Sequence, residues 1–199
     1  VFLKTDPGKR LAPAYDGLGV APNLALAPLG ATIHVSGTSD PKTALPATLL
    51  AGDWTGHVFG RWVEGGDGID RFPDTIEIRL PAAAAVDTVY LYHEYGGWQR
   101  TLRDFDIEVF DGGAWRAVER VRGNYYAEAT RHRFEPVTTD RVRVVVHAVN
   151  TSLFGEVNWI KRQTALRGLA VQAAPLRPAR VFFGETRLDK PSLARGGTR

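Results

Sequence analysis

Ile76-Glu-Ile-Arg-Leu80 alternates apolar and charged side chains one by one, and this alternation decides the fold. A period of two belongs to a β-strand, whose successive side chains point to opposite faces, so Ile76, Ile78 and Leu80 predict a buried face and Glu77 and Arg79 a wet one. The same pattern recurs downstream. Phe105, Ile107 and Val109 alternate with Asp104, Asp106 and Glu108, and Val142, Val144 and Val146 are set against Arg141 and Arg143. Val86–Tyr92 and Trp115–Val118 are further runs of this kind. Turn signals separate them: Gly96-Gly97, Asp111-Gly-Gly113, Arg122-Gly-Asn124 and the glycine-rich stretch 64–68. No stretch of about ten residues carries a capped 3.6-residue apolar stripe, which argues against strands alternating with crossover helices. Short strands with one polar face each predict an all-β fold, an antiparallel β-sandwich of two packed sheets over residues 22–173.

Composition narrows the function. A chain of 199 residues, 44% of them hydrophobic, predicts one domain with a sizeable core and extended arms. It holds no cysteine, which excludes a disulfide scaffold, a thiol nucleophile and cysteine-ligated zinc or iron–sulfur. The longest apolar runs, Pro81–Val86 and Val142–Val149, fall far short of the about 20 residues that a membrane-spanning helix needs, so no transmembrane segment is expected. Charge is uneven. Residues 1–159 hold 16 Lys and Arg against 20 Asp and Glu, whereas residues 160–199 hold 9 against 2. Residues 1–21, rich in proline and glycine, read as an N-terminal arm or linker, and residues 174–199 as a basic C-terminal tail containing Pro175, Pro178 and Pro191. Val181-Phe-Phe183 is too apolar for a linker and is expected to dock on the sandwich or on a partner, flanked by the cations Arg177 and Arg180.

The order of the segments resembles the discoidin family, also called the F5/8 type C or galactose-binding-like domain, to which many carbohydrate-binding modules belong. Asn23-Leu-Ala25 followed by Gly30–Ser36 is similar to the family's opening segment and first strand. Ala51-Gly-Asp53 and Arg61-Trp62 match its Asp-containing turn and Arg-Trp pair. Ile76–Leu80, Val86–Tyr92, Phe105–Val109, the turn Gly112-Gly113 with Trp115, the valine-rich strand Val142–Val146 and the closing strand Leu166–Val171 complete the order. The resemblance covers residues 22–173 and implies a jelly-roll sandwich, with Trp62 and Trp115 at positions that pack in the core. Members that bind calcium use an Asp-rich loop and a Glu in the closing strand. Gly168 stands where that Glu would be, so the site is a carboxylate short even with Asp53 present, and no cofactor is expected.

No catalytic constellation is visible. The chain lacks G-x-S-x-G, H-E-x-x-H and a phosphate-cradling G-x-x-x-x-G-K. Asp104 and Asp106 share a strand face as solvated carboxylates, and His34 and His147 fall inside strands, where packing or hydrogen bonding accounts for them. Binding is the better reading. A saccharide offers apolar C–H faces and a ring of hydroxyls, so its site needs aromatic plates beside polar groups, presented by loops on a rigid scaffold. Loop 52–60 carries Trp54 and His57; loop 93–103 carries His93, Tyr95, Trp98 and Arg100; loop 150–161 carries Phe154 and Asn158. The resemblance implies that these three loops lie at one end of the sandwich and form one ligand site. A fourth, 123–126, with Tyr125 and Tyr126, is expected at the opposite end.

The sequence therefore predicts a noncatalytic, lectin-like module that binds a glycan or other extracellular ligand. The alternative is an accessory or scaffolding subunit of a larger assembly, held by its extensions through Arg177, Arg180, Val181, Phe182 and Phe183. Nucleic acid is a poor fit, since the body is acidic and no nucleic-acid-binding motif occurs. An extracytoplasmic location follows from where such modules work.

Overall fold

The computed structural model describes residues 22–38, 46–52, 62–63, 72–93, 101–125, 129–150 and 164–174. Strands β1 (Thr32–Val35), β2 (Trp62–Val63), β3 (Asp74–His93), β4 (Leu102–Asp111), β5 (Ala114–Val121), β6 (Ala129–Val149) and β7 (Ala165–Ala173) are all antiparallel, and only two short 3-10 turns, Ala27–Leu29 and Pro46–Leu50, accompany them among the described residues. The all-β sandwich read from the alternation is the observed architecture.

Its two layers share strands. The order is β2-β7-β3-β6-β4-β5, with β1 also on β3. The first half of β3 pairs with β1 (Ile76↔Val35), the second half with β7 (Val89↔Val171), and β6 accompanies both halves. One layer is thus β1, the first half of β3, the second half of β6, β4 and β5. The other is the remaining halves of β3 and β6 with β7 and β2. The two runs Ile76–Leu80 and Val86–Tyr92 are one strand, which the sequence divides at Pro81. Pairing jumps there from Arg79↔Arg141 to Ala84↔Thr139, so four residues of β3 stand against one of β6, Asp140, and the strand bulges outward. Proline lacks a ladder donor and is tolerated at such a bulge, where a strand crosses between layers.

Inward-facing residues of both layers form one core: Ile76, Ile78, Val89 and Leu91 of β3, Phe105 and Ile107 of β4, Val142, Val144 and Val146 of β6, and Leu166 and Leu169 of β7. Each such side chain stabilises by about 1.5–3 kcal/mol relative to exposure. Asn23 explains why the opening motif is polar at its head: its buried Oδ1 accepts from the amides of Ala25 (3.0 Å) and Val171 (3.1 Å), tying the first described segment to β7. Asp111-Gly-Gly-Ala114 makes the β4–β5 hairpin, with Gly112 and Gly113 both at positive φ (59° and 91°) as a two-residue turn of matching twist requires.

Trp115 departs from its expected core position. It pairs with Phe110 on the outward face of β4 and β5, half-buried, with the rings edge to face at 5.4 Å. The Arg143 guanidinium lies 4.3 Å over its ring, and that of Arg141 3.4 Å over Phe110. The turn sets this: Val109 points inward, so Phe110 and its partner point out. Trp62 is described by its backbone alone, paired with Leu166.

Candidate functional site

Antiparallel register gathers the strand ends. His93 closes β3 opposite Leu166 near the start of β7, Tyr92 faces Ala129 at the start of β6, and Leu102 at the start of β4 faces Val149 at the end of β6. Segments 94–100, 126–128 and 151–163 therefore spring from one end of the sandwich. Trp62, where segment 53–61 rejoins the sheet, lies level with Leu166 and so with His93. The far end of the second layer holds both described termini: the Ala174 amide donates to Ala85 O (2.7 Å) and the Ala173 amide to Pro22 O (3.3 Å).

Polar side chains lock the bases of these loops. Asn150 donates from Nδ2 to Thr101 Oγ1 (2.7 Å) and Asn124 O (3.0 Å), and its amide donates to Thr101 O (2.8 Å). Asn124 donates from Nδ2 to Leu102 O (2.7 Å) and from its amide to Arg103 O (2.9 Å). The fourth loop consequently sits at the same end as the second and third, correcting the expectation that it lies opposite. Its Tyr125 is 70% exposed, more than any other large hydrophobic residue among those described. Sequence reasoning noted this ring but could not see the Asn124 and Asn150 amides that carry it to the loop end.

Asp104 and Asp106 are engaged rather than merely solvated. The Gly123 amide donates to Asp104 Oδ1 (2.7 Å), and Arg103 Nε lies 3.0 Å from Oδ2. That amide first, then Arg103, holds the Asp104 carboxyl below the usual range against a smaller opposing push from burial. For Asp106, burial pushes upward, but His147 (3.1 Å) and Arg122 (2.8 Å) outweigh it and the carboxyl is lowered. His147 is thus hydrogen-bonded within the sheet, as its position suggested.

His93 is fully buried and makes no surface for a ligand, which corrects its place among the ligand-contacting candidates. Its Nδ1 accepts from the Leu102 amide (3.4 Å) and its Nε2 meets Thr130 Oγ1 (2.9 Å). Burial, then the neighbouring His132, lower its pKa from 6.5 to about 3. Thr130 Oγ1 also meets His132 Nε2 (2.8 Å), and His132 Nδ1 lies 3.2 Å from Glu119 Oε2. The register shift after Val86 turns the odd-numbered residues of β3 inward and carries His93 with them. Trp54, His57, Tyr95, Trp98, Arg100, Phe154 and Asn158 lie outside the described residues, as do Asp53 and the tail residues Arg177, Arg180, Val181, Phe182 and Phe183. Gly168 is buried in β7 opposite Tyr92. Among the described residues no group of three His, Asp or Glu side chains could hold a metal ion, and no helix is long and apolar enough to cross a membrane.

Residues 52–144 match the family model described as F5/F8 type C, NedA-like, galactose-binding domain. The matched family is the one that the segment order resembles. Solved structures agree on the fold. Chitosan-binding module 2 of a chitosanase/glucanase from Paenibacillus sp. IK-5, in complex with chitotriose, is 18% identical with a TM-score of 0.59, covering 76% of this chain and 100% of that one. The family 32 carbohydrate-binding module of Clostridium perfringens NanJ, in complex with galactose, is 12% identical with a TM-score of 0.56, covering 71% and 92%. The family 32 module of Streptococcus pneumoniae EndoD is 21% identical with a TM-score of 0.56, covering 77% and 100%. No curated protein matches the chain.

Proposed function

We propose that this chain is a noncatalytic carbohydrate-binding module whose ligand meets segments 53–61, 94–100 and 151–163. The observation that carries the reading is the convergence of the strand ends bordering these segments on one end of a rigid sandwich, their bases fastened by Thr101, Asn124 and Asn150. Structures of the same fold hold chitotriose and galactose. In this reading Trp54 or Trp98 stacks on a sugar ring, Tyr95 and Phe154 extend the apolar wall, and His57, Arg100 and Asn158 hydrogen-bond the hydroxyls. Tyr125 joins them from the fourth loop. His93 acts from beneath. A glycan array followed by calorimetry with chitotriose and galactose tests this, and no saccharide binding at millimolar concentration would overturn it. Trp98→Ala is expected to cost about 1–3 kcal/mol of affinity with the fold intact.

A second reading keeps the tail as a protein contact. Residues Arg177, Arg180 and Val181–Phe183 follow Ala174, which leaves the domain at the end away from the loops. A partner held there leaves the sugar site accessible, as expected for a module working outside the cytoplasm. Deleting residues 175–199 should release such a partner without changing saccharide affinity.

A further inference from the structure

We propose that His93 and His132 are positioning residues, fixed by a one-way chain of hydrogen bonds that runs from the Leu102 amide toward Glu119 and closes the neck of segment 94–100. The chemistry of each link sets the next. A backbone N–H only donates, so His93 Nδ1, 3.4 Å from the Leu102 amide, accepts. A neutral imidazole that accepts at one nitrogen carries its proton on the other, so His93 Nε2–H donates to Thr130 Oγ1 at 2.9 Å. The Thr130 hydroxyl keeps its own proton for His132 Nε2 at 2.8 Å. That nitrogen accepts, which leaves the His132 proton on Nδ1, facing Glu119 Oε2 at 3.2 Å. This last pair is not aligned as a hydrogen bond, yet neither atom has another partner among the described residues, and a carboxylate can only accept.

The chain stitches four strands: His93 on β3, Leu102 on β4, Thr130 and His132 on β6, and Glu119 on β5. Phe105 packs edge to face on the His132 ring at 5.2 Å, and His132 is nearly sealed from solvent, so the links operate where hydrogen bonds are strong and broken ones costly. Its position gives it a role. His93 is the last residue before segment 94–100 and Leu102 the second after it, so the His93 ring clasps the two ends of the segment that carries Tyr95, Trp98 and Arg100. This role rests on the saccharide reading above. The tautomers do not.

Two measurements on the full chain test the proposal. Long-range 15N NMR at neutral pH should show His93 protonated on Nε2 alone and His132 on Nδ1 alone. A proton on His93 Nδ1, or one on His132 Nε2, would overturn the chain. Thr130→Val removes the central link while keeping the side-chain shape. It should weaken binding of whichever of chitotriose or galactose the wild type takes by about tenfold, with Thr130→Ser restoring it to within about twofold. Unchanged affinity in a folded Thr130→Val protein would overturn the positioning role. If the wild type binds neither sugar, the tightest binder on the glycan array takes their place; if it binds no saccharide at all, the saccharide reading and the positioning role fall together while the 15N spectrum still decides the chain. If Thr130→Val does not fold, the wild-type spectrum and Thr130→Ser carry the test.

Discussion

Acidification should unfold this domain through His93 before its carboxylates matter. The ring is fully buried, and a second proton on Nδ1 would confront the Leu102 N–H, so the native state holds His93 neutral to about pH 3 against 6.5 for the free side chain. The depressed pKa fixes the sign: between these values the unfolded chain takes up a proton that the native state refuses, so stability is complete above 6.5 and falls as pH falls. At about 1.36 kcal/mol per unit, the loss from this one group reaches about 2 kcal/mol at pH 5 and about 3 kcal/mol at pH 4. Urea unfolding of wild type and His93→Gln across pH 4–7.5 isolates it, because every other group titrates in both proteins. The wild type should lose stability more steeply, the gap between the two curves closing as pH falls. Parallel curves, or a His93 Cε1–H resonance that titrates near 6.5, would refute the reasoning.

At the acid end of this window Asp104 and Asp106, both lowered in the fold, should begin to withdraw their own stabilisation as pH drops under about 4, read as a further fall in the urea midpoint that Asp104→Asn reduces. Asn23→Ala leaves the Ala25 and Val171 amides without their acceptor and should destabilise by about 2–4 kcal/mol in equilibrium unfolding. Phe105→Ala should cost about 3–5 kcal/mol by opening the core, whereas Trp115→Ala on the outward face should cost only about 1 kcal/mol. Equal losses for the two would contradict the assignment of faces. Tyr125→Ala should lower saccharide affinity by about 1–2 kcal/mol without shifting the melting temperature.

Period-two alternation made most of the strands readable. Where inward positions are apolar, as in Ile76–Leu80, Phe105–Val109 and Val142–Val146, pattern and burial coincide. The first half of β6 escaped because its buried inward positions are His132 and Thr139, polar residues that mimic a loop. The passage of β3 through Pro81–Ala85 escaped for a related reason: an exposed proline and alanines in a bulge look like a break between strands. The loop end was legible only in part. Its aromatics stand out in the sequence, but the burial of His93 depends on Thr130, 37 residues away, and the location of the fourth loop on side-chain amides of Asn124 and Asn150. Spacing along the chain does not report such long-range partners.

Pro22 and Ala174 leave the domain side by side, in antiparallel register, and the rungs Ala173 N to Pro22 O and Leu24 N to Val171 O join the two segments. Tension drawn between the two termini is directed across these rungs, so they are loaded in succession. The geometry is that of a zipper rather than a lap joint. A modest pull would peel off the Asn23 segment, strip β7 of its cover, and leave the clasped loops at the other pole to yield last.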